Sequence, residues 1–363
     1  MSKVELKVAR EEDAELWDRL VESSPHGTIF HTWKWLKIVE KHTNSKLFTL
    51  VGYRGEVPVG IFPLFYQKKA FLKMVFSPPP HVAIIYLGPV LVDYGKLKQS
   101  KREINFVEFQ RQVDEFIKEE LKANYISISL PPELLDPRPF QWSGYEVEPA
   151  YGYVMDLSKG IEYLWQKKCD KKLRQNIERG IRRGISVEEG GKKELEVIYD
   201  LMVDRYAEQD KIVTVPKEYL LDVYDAFSEN IKISVAKYEG EIITGTIDIY
   251  YKDKIVSWIG NPRPRVKISP SPNDLLNWEA MKYACEHGFR YYETIGAAGN
   301  ERLHKYYSKF NPELLVRFSM RKYSSFIPKL MEMAYIKTKP VYWRIKFIKQ
   351  KKRAERDSNG LCR

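Results

Sequence analysis

Short stretches of the chain alternate between apolar and polar residues, and longer stretches between them repeat their apolar residues at helical spacing. YISISL near residue 125 and TGTIDIYY near residue 244 have the period of two that half-buried strands show. FVEFQRQVDEFIKEELKAN and PNDLLNWEAMKYACEHG have the spacing of amphipathic helices. The pattern therefore predicts an α/β (α+β) protein.

One strand–turn–strand pattern occurs twice. VGYRGEVPVGIFPLFYQKK begins at Val51, and AKYEGEIITGTIDIYYKDK begins at Ala236. At a constant shift of 185 positions the two stretches share a tyrosine, a Gly-Glu pair, a second glycine and a second tyrosine. Gly55 and Gly240 supply the positive φ that a tight hairpin turn requires. We interpret each stretch as a β-hairpin of the same unit.

The elements around the two hairpins also correspond. A helical stretch precedes each hairpin, and a strand (AIIYLGPVLV or KIVSWIGN), a helix and a further strand follow it. This order indicates duplication of one α/β unit. We predict domains at 1–148 and 149–325, the second opening with the strand YGYVMDL and a helix from about Ile161 to Gly184. A basic helical extension at 326–363 follows.

Composition points to an anionic partner and a reducing compartment. The formal charge is +11 and the pI about 9.2, which favours nucleic acid, acidic lipid or a phosphorylated metabolite. Cys169, Cys285 and Cys362 form neither a disulfide framework nor a metal pair. The charged start MSKVELKVAREEDAELW is unlike a signal peptide. We expect a cytoplasmic protein without a metal, peripheral at the inner face of the membrane in one interpretation.

Four stretches carry a resemblance to a known family. They are WDRLVESSPHGTIFHTWKWL, YVMDLSKGIEYLWQKKCDKKLRQNIERGIRRGISVEEG, SPNDLLNWEAMKYACEHGFRYYETIGA and LHKYYSKFNPEL. Together with the element order, they resemble tandem GNAT acyltransferases of the FemAB-like and BioF2-like kind. The resemblance implies two tandem GNAT-like domains, each a mixed, mostly antiparallel sheet flanked by helices. It also implies transfer of an acyl or aminoacyl group to an amine.

The sequence departs from the pattern of related enzymes in two places. Relatives read Phe-Lys-x-x-Phe near the end of the core, whereas Tyr307 stands where a lysine is expected and Lys305 and Lys309 flank it. The stretch GNPRPRVKISPSPND lacks the glycines with which acyl-CoA enzymes hold a pyrophosphate, and FemAB-type proteins share this absence. We therefore expect no tightly bound cofactor and, as acyl donor, either aminoacyl-tRNA or acyl-CoA.

Five residues are candidates for the chemistry, four of them in one short stretch. Lys305 and Lys309, four apart, would share one helix face after the loop Gly296–Gly299 and neutralise an oxyanion or phosphate. Tyr306 or Tyr307 would protonate the leaving group, and this Lys/Tyr cluster would face the groove between the halves. The alternative is that the lysines are solvated and the tyrosines pack.

Asp248 is the first choice for a general base or amine-binding anion. Thr246, Asp248 and Tyr250 alternate onto one strand face, and a carboxylate in mid-sheet is costly unless it is paired or faces a cleft. The alternative is a structural aspartate. Glu293 is the second choice by the same argument.

Further residues are candidates for substrate binding. Asn273 precedes a helical pattern and fits a helix N-cap, with a substrate contact as the alternative. The surrounding loop adds Arg263 and Arg265, and Trp33 fits the core or a cleft wall.

A run of cations opens the second domain. Lys171 and Arg174 belong to a stretch with eight Lys or Arg and two acids between Trp165 and Arg183. Such a face is either solvated or binds phosphates of tRNA, a nucleotide or a lipid. We expect the C-terminal stretch VYWRIKFIKQKKR either to lie on an anionic membrane or to pack as a helix on the rest of the protein.

The sequence thus predicts an N-acyltransferase with an anionic donor and an amine-bearing acceptor, a small molecule or an envelope or polysaccharide precursor, in the groove between the halves. One alternative is an acyl-CoA-dependent N-acetyltransferase of a small amine or sugar. Another is a non-catalytic module that binds tRNA or anionic lipid. We expect no DNA partner.

Overall fold

One continuous sheet organises the chain. The computed structural model describes residues 3–294, 301–334 and 337–338 of the 363. Within them, thirteen strands form a single sheet. In chain order these are β1 (Val4–Val8), β2 (Lys46–Arg54), β3 (Val57–Lys69), β4 (Leu72–Ser77), β5 (Val90–Leu91), β6 (Tyr125–Ser129), β7 (Glu146–Asp156), β8 (Ser186–Gly190), β9 (Ile231–Tyr238), β10 (Glu241–Tyr251), β11 (Lys254–Gly260), β12 (Tyr291–Thr294) and β13 (Glu313–Tyr323).

The strand order shows the duplication. The sheet runs β1-β2-β3-β4-β6-β13-β7-β12-β11-β10-β9-β8, with β5 paired to β3. Read inward from either edge, both halves have an antiparallel run of four strands followed by a parallel neighbour, β4 with β6 and β11 with β12. Gly55 and Gly240, in the equivalent turns, both have positive φ. The predicted architecture, two tandem α/β units with mostly antiparallel strands flanked by helices, is confirmed.

The halves exchange strands at the centre. β7 follows β6 in the chain but pairs with β12 of the second half, while β13 pairs with both β6 and β7. Each unit is therefore completed by a strand from the other end of the chain. The boundary at 148/149 falls inside β7, and the domain limits stay a prediction.

Helices cover both faces of the sheet. The first half has α1 (Ala14–Ser23), α2 (Trp33–His42), α3 (Gln99–Phe116) and α4 (Arg138–Trp142), and the second has α5 (Gly160–Tyr163), α6 (Lys171–Arg182), α7 (Lys192–Ala207), α8 (Lys217–Phe227), α9 (Pro272–Glu286) and α10 (Glu301–Tyr307). A further helix, α11, spans 326–334. Among the described residues, no helix is long and apolar enough to cross a membrane.

Two sequence predictions about elements were wrong. The stretch AIIYLGPVLV forms a strand only at β5. The strand equivalent to β11 is instead β4, which directly follows the hairpin. Gly88, within the stretch, has a positive φ that a strand does not accommodate. The single helix from Ile161 to Gly184 is interrupted at Cys169 and Asp170, which have extended backbone dihedrals.

The two halves share a hydrophobic core. One buried cluster joins α1 and α2 of the first half to α7 and α8 of the second. Trp35 lies at its centre, and its indole Nε1 donates to the Tyr219 hydroxyl across the seam, 3.1 Å away. Lys252 donates to the carbonyl oxygens of Val21, Ser24 and Gly27. This packing fixes how the halves meet.

Candidate functional site

A cavity lies where the two halves meet. It encloses about 440 Å³ and is lined from the first half by Phe30, Tyr86 and Glu133 and from the second by Lys254 and Glu293, among others. We call it the seam cavity. Its volume falls in the range of small-molecule sites. Because both units contribute walls, the cavity exists only in the assembled tandem fold.

Glu293 is the buried acid of the seam cavity. It is 2% exposed, and its neighbour Tyr292 faces the opposite side of the sheet because β12 is extended. The Tyr86 hydroxyl donates to Glu293 Oε2 at 3.2 Å. Burial raises the pKa of the Glu293 carboxyl, against the opposing effects of Lys254, Tyr86 and Arg317. A carboxylate with a raised pKa and one orienting hydrogen bond is suited to accept a proton.

Lys254 and Glu133 form an ion pair at the cavity wall. Burial lowers the pKa of Lys254, which the nearby Glu293 carboxylate opposes. The pair joins the halves, since Glu133 follows β6 and Lys254 opens β11. Among the described residues, Glu133 Oε2 is buried without a hydrogen-bond partner.

Arg317 adds a half-buried cation beside this acid. It lies on β13 two residues from Leu315, which lines the cavity, so both side chains point to one face. Burial lowers the pKa of Arg317, while Glu293 and Tyr86 raise it. Within the described part of the chain, its Nε and Nη1 atoms have no hydrogen-bond partner. Buried unpaired N–H groups are costly, and an anionic or carbonyl oxygen would satisfy them.

Asp248 lies on the other face of the sheet, under α9. It is 1% exposed, and Thr246 Oγ1 donates to its Oδ1 at 3.3 Å, which confirms the predicted alternation. Burial raises the pKa of Asp248 to about 7. Its Oδ2 has no partner among the described residues. Asp248 does not line the seam cavity, and its role as a base stays a prediction.

The Lys/Tyr cluster is on the face of Asp248 as well. Lys309 forms an ion pair with the buried Asp274 and lies 3.8 Å from the centroid of the Tyr306 ring. The Tyr306 hydroxyl accepts from Asn277 Nδ2 at 3.1 Å. Burial raises the pKa of Tyr307 to about 12. The prediction that this cluster faces the groove between the halves was wrong, because β12 separates it from the seam cavity.

Lys305 and Lys309 do not share a helix face. α10 ends at Tyr307, and a tighter turn over Ser308–Phe310 rotates Lys309 inward while Lys305 remains exposed. The pairing with Asp274 suits a structural role for Lys309. The loop Gly296–Gly299 lies outside the described residues.

The remaining candidates are spread over the second half and the core. Asn273 is not the N-cap of α9: Ser271 is, because Pro272 takes the first helical position. Asn273 Nδ2 instead donates to the Asn261 carbonyl at 3.1 Å. Arg263 is exposed, Arg265 pairs with Asp204, and Trp33 is buried, with its Nε1 donating to Glu11.

The basic helix is divided between structure and surface. Arg174 Nη1 donates to the carbonyl oxygens of Trp165, Gln166 and Cys169, at 2.8, 3.1 and 3.0 Å. Arg174 therefore caps the end of the preceding helical segment. Lys171, at the first position of α6, is exposed.

Sequence reasoning found Glu293 but missed Tyr86, Glu133, Lys254 and Arg317. Arg317 could have been recognised from the sequence, because it is the single cation in the mostly apolar strand LLVRFSM. A charge in such a strand is costly unless it is paired or faces a cleft, as was argued for Asp248. Lys254 reads as part of a polar turn in YKDK, and Tyr86 reads as an ordinary strand tyrosine.

Comparison with known proteins identifies the class of the second half. Residues 167–307 match the family model described as Acetyltransferase (GNAT) domain. A search of the curated proteins found no match to this sequence. The matched range contains α6 to α10 and therefore Asp248, Lys254 and Glu293.

Solved structures extend the likeness to nearly the whole chain. FemX has a TM-score of 0.64 at 14% identity and covers 86% of this chain and 96% of its own. A tandem GNAT protein from the clavulanic acid biosynthesis pathway has a TM-score of 0.55 at 13% identity, covering 89% and 99%. The C-terminal domain of a putative lysylphosphatidylglycerol synthetase from Agrobacterium fabrum has 0.54 at 16%, covering 90% and 96%.

Residues 167–307 thus match the GNAT acetyltransferase model, and the fold of the chain is similar to that of tandem GNAT proteins. The resemblance to FemAB-like proteins is confirmed by this match and these likenesses. They support an N-acyltransferase.

Proposed function

We propose that this protein transfers an acyl or aminoacyl group to an amine bound in the seam cavity. The observation that supports this most directly is Glu293, a buried acid with a raised pKa in a cavity of about 440 Å³. The GNAT match supports the reaction class. The proposal moves the expected base from Asp248 to Glu293, because Glu293 lines the seam cavity and Asp248 does not.

The residues around Glu293 have complementary tasks in this proposal. Glu293 takes a proton from the bound ammonium, and the neutral amine attacks the acyl carbonyl carbon. Tyr86 orients the carboxylate through its hydrogen bond. Arg317 N–H groups hold the carbonyl oxygen as negative charge develops on it. As the C–N bond forms, the acyl C–O bond to the tRNA or C–S bond to CoA breaks, and the leaving oxygen or sulfur takes the second proton that the attacking nitrogen loses. No covalent intermediate with the protein is needed.

The donor is anionic in this proposal, either aminoacyl-tRNA or an acyl-CoA thioester. Exposed cations lie on α6 and on the loop before α9, which are adjacent because the Gly180 backbone approaches Pro270. This surface suits phosphates. The loop has no glycine between Asn261 and Ser271, which favours aminoacyl-tRNA. The acceptor is the amine of a small molecule or of an envelope or polysaccharide precursor.

The test is a transfer screen. Purified protein is incubated with acyl-CoA or aminoacyl-tRNA pools and candidate amines, and newly acylated amines are identified by mass spectrometry. We expect a product with the wild type and a loss of about a hundredfold or more in rate with Glu293→Gln. Glu279→Gln, at the surface of α9, is the matched control. Transfer that is unchanged in Glu293→Gln would contradict the proposed base.

Two alternatives have distinct outcomes in the same experiment. Micromolar acetyl-CoA binding by calorimetry, with transfer from acyl-CoA only, would identify an acyl-CoA-dependent N-acetyltransferase. Tight, salt-sensitive tRNA binding without transfer to any amine would identify a binding module.

A further inference from the structure

Helix α11 has its polar side toward the protein and its apolar side toward solvent. On the inner side, the Tyr125 hydroxyl donates to Glu332 Oε1 at 2.7 Å, and Lys329 pairs with Glu146. The outer side carries large exposed apolar side chains, with Phe326 71% and Ile327 63% exposed. Leu330, Met331 and Met333 are exposed there too. This is the reverse of a helix that packs on a soluble domain.

A second exposed apolar residue lies at the same end of the sheet. Phe71, 68% exposed, is at the tip of the β3–β4 hairpin. β4 and β13 flank β6, with Met74 and Tyr323 both in register with Tyr125. Phe71 lies three residues before Met74, and Phe326 lies three residues after Tyr323. Because β4 is parallel to β6 and β13 is antiparallel to it, both residues lie beyond the first residue of β6. Because β4 and β13 are two strand spacings apart, about 10 Å, the hairpin tip and the start of α11 lie at one end of the sheet. We call it the apolar end.

Exposed cations surround this apolar end. Lys68 and Lys69 flank the hairpin tip and Lys122 precedes β6, all of them exposed. Lys68 and Lys73 are direct cross-strand neighbours, an arrangement that costs free energy unless an anion is near. In the sequence after α11, residues 337–353 contain eight Lys or Arg and no Asp or Glu.

We propose that this end of the sheet docks on an anionic lipid membrane, with Phe71 and the outer side of α11 inserted among the lipids. The lysines would contact the acidic head groups, which attract clustered cations. A second copy of the chain is disfavoured as the occupant, because it would bring an equally cationic surface against this one. The basic segment at 337–353 is disfavoured as a cover for the same reason. This proposal does not depend on the proposed reaction.

Flotation of the full-length protein with lipid vesicles tests the proposal. We expect binding to vesicles of phosphatidylcholine mixed with phosphatidylglycerol, little binding to phosphatidylcholine alone, and loss of binding at high salt. Phe71→Glu and the double variant Ile327→Glu/Leu330→Glu should each lower binding at least about fivefold, because a charge replaces an inserted apolar group.

The matched control is Val57→Glu. Val57 is 62% exposed and lies at the opposite end of β3 from Phe71, so this variant should bind vesicles like the wild type. Circular dichroism and thermal melting check that every variant folds, and Phe71→Glu tests the surface independently of α11. No binding of the wild type to anionic vesicles, equal binding to neutral ones, or unchanged binding of folded variants would overturn the proposal. So would self-association that the α11 variant abolishes, because the surface would then join copies of the chain.

Discussion

Tyr292 and Glu293 are adjacent residues with entirely different surroundings. Burial raises the pKa of both side chains, but Tyr292 faces Asp248 and α9 whereas Glu293 faces Tyr86 and the seam cavity. The alternation of a strand is enough to separate them. A buried acid on the wrong face could not reach a substrate in the cavity.

The pH dependence of transfer should report the ionisation of Glu293. Because the base form is required and burial raises the pKa of its carboxyl, kcat/KM should rise with pH through that raised pKa. In Glu293→Gln this rise should disappear together with most of the activity. The measurement is a pH–rate profile of both proteins, and an identical profile in the variant would contradict the assignment.

Ionisation of the buried Asp248 carboxyl should lower the free energy of unfolding as the pH rises. Burial raises its folded-state pKa from 3.8 to about 7, so the folded protein binds more protons than the unfolded chain between these values, and stability falls with increasing pH across that window. Asp248→Asn removes this penalty. At pH 8 it should be more stable than the wild type by up to roughly 4 kcal/mol, and the difference should shrink toward pH 4.

Urea unfolding at several pH values measures this effect. Glu56→Gln, at the exposed turn between β2 and β3, is the control, and its difference from the wild type should not grow between pH 4 and 8. If the difference in unfolding free energy between Asp248→Asn and the wild type does not change with pH, the Asp248 carboxyl has an ordinary pKa in the folded protein.

At the scale of elements, the junction between α5 and α6 depends on one side chain. Apolar spacing in the sequence predicted a continuous helix, but the chain is extended at Cys169 and Asp170. The carbonyl oxygens left at this break need donors. Arg174 supplies them from the first turn of α6. Periodicity cannot detect such a break, because the apolar side chains keep helical spacing on both sides of it.

Removal of Arg174 should therefore destabilise the fold rather than weaken donor binding alone. Arg174→Ala should lower the free energy of unfolding by about 2 kcal/mol, the order expected for hydrogen bonds from a charged donor. Arg179→Ala, which removes an exposed cation of the same helix, should change stability little. Chemical denaturation compares them, and equal stabilities for the two variants would mean that the capping contacts contribute nothing.

At the scale of the whole molecule, the exchange of β7 and β13 makes the halves interdependent. Each half needs a strand from the other part of the chain, and one core crosses the seam. The seam cavity, with walls from both halves, depends on the same assembly. The two units should therefore unfold together, although they arose from one repeated pattern.

A core substitution in the first half should lower the stability of the entire chain. Phe62→Ala, at a fully buried position, should cost about 3–5 kcal/mol and shift one cooperative transition. Tryptophan fluorescence and far-UV circular dichroism should coincide. Phe71→Ala, at an exposed position of the same hairpin, is the control. Two separate transitions, of which only one shifts in Phe62→Ala, would show that the halves fold independently.

The sequence by itself determined the repeated hairpins, the class of fold and the presence of acids on buried strands. Turn glycines, strand alternation and helical spacing are set by residues close in the chain, so Gly55, Gly240, Asp248 and Glu293 could be recognised without a structure. Only the tertiary structure decided which acid borders a cavity. Lys254 and Arg317 come together through the pairing of strands distant in sequence, and Tyr86 reaches them from the loop before β5, so no local pattern records these neighbours.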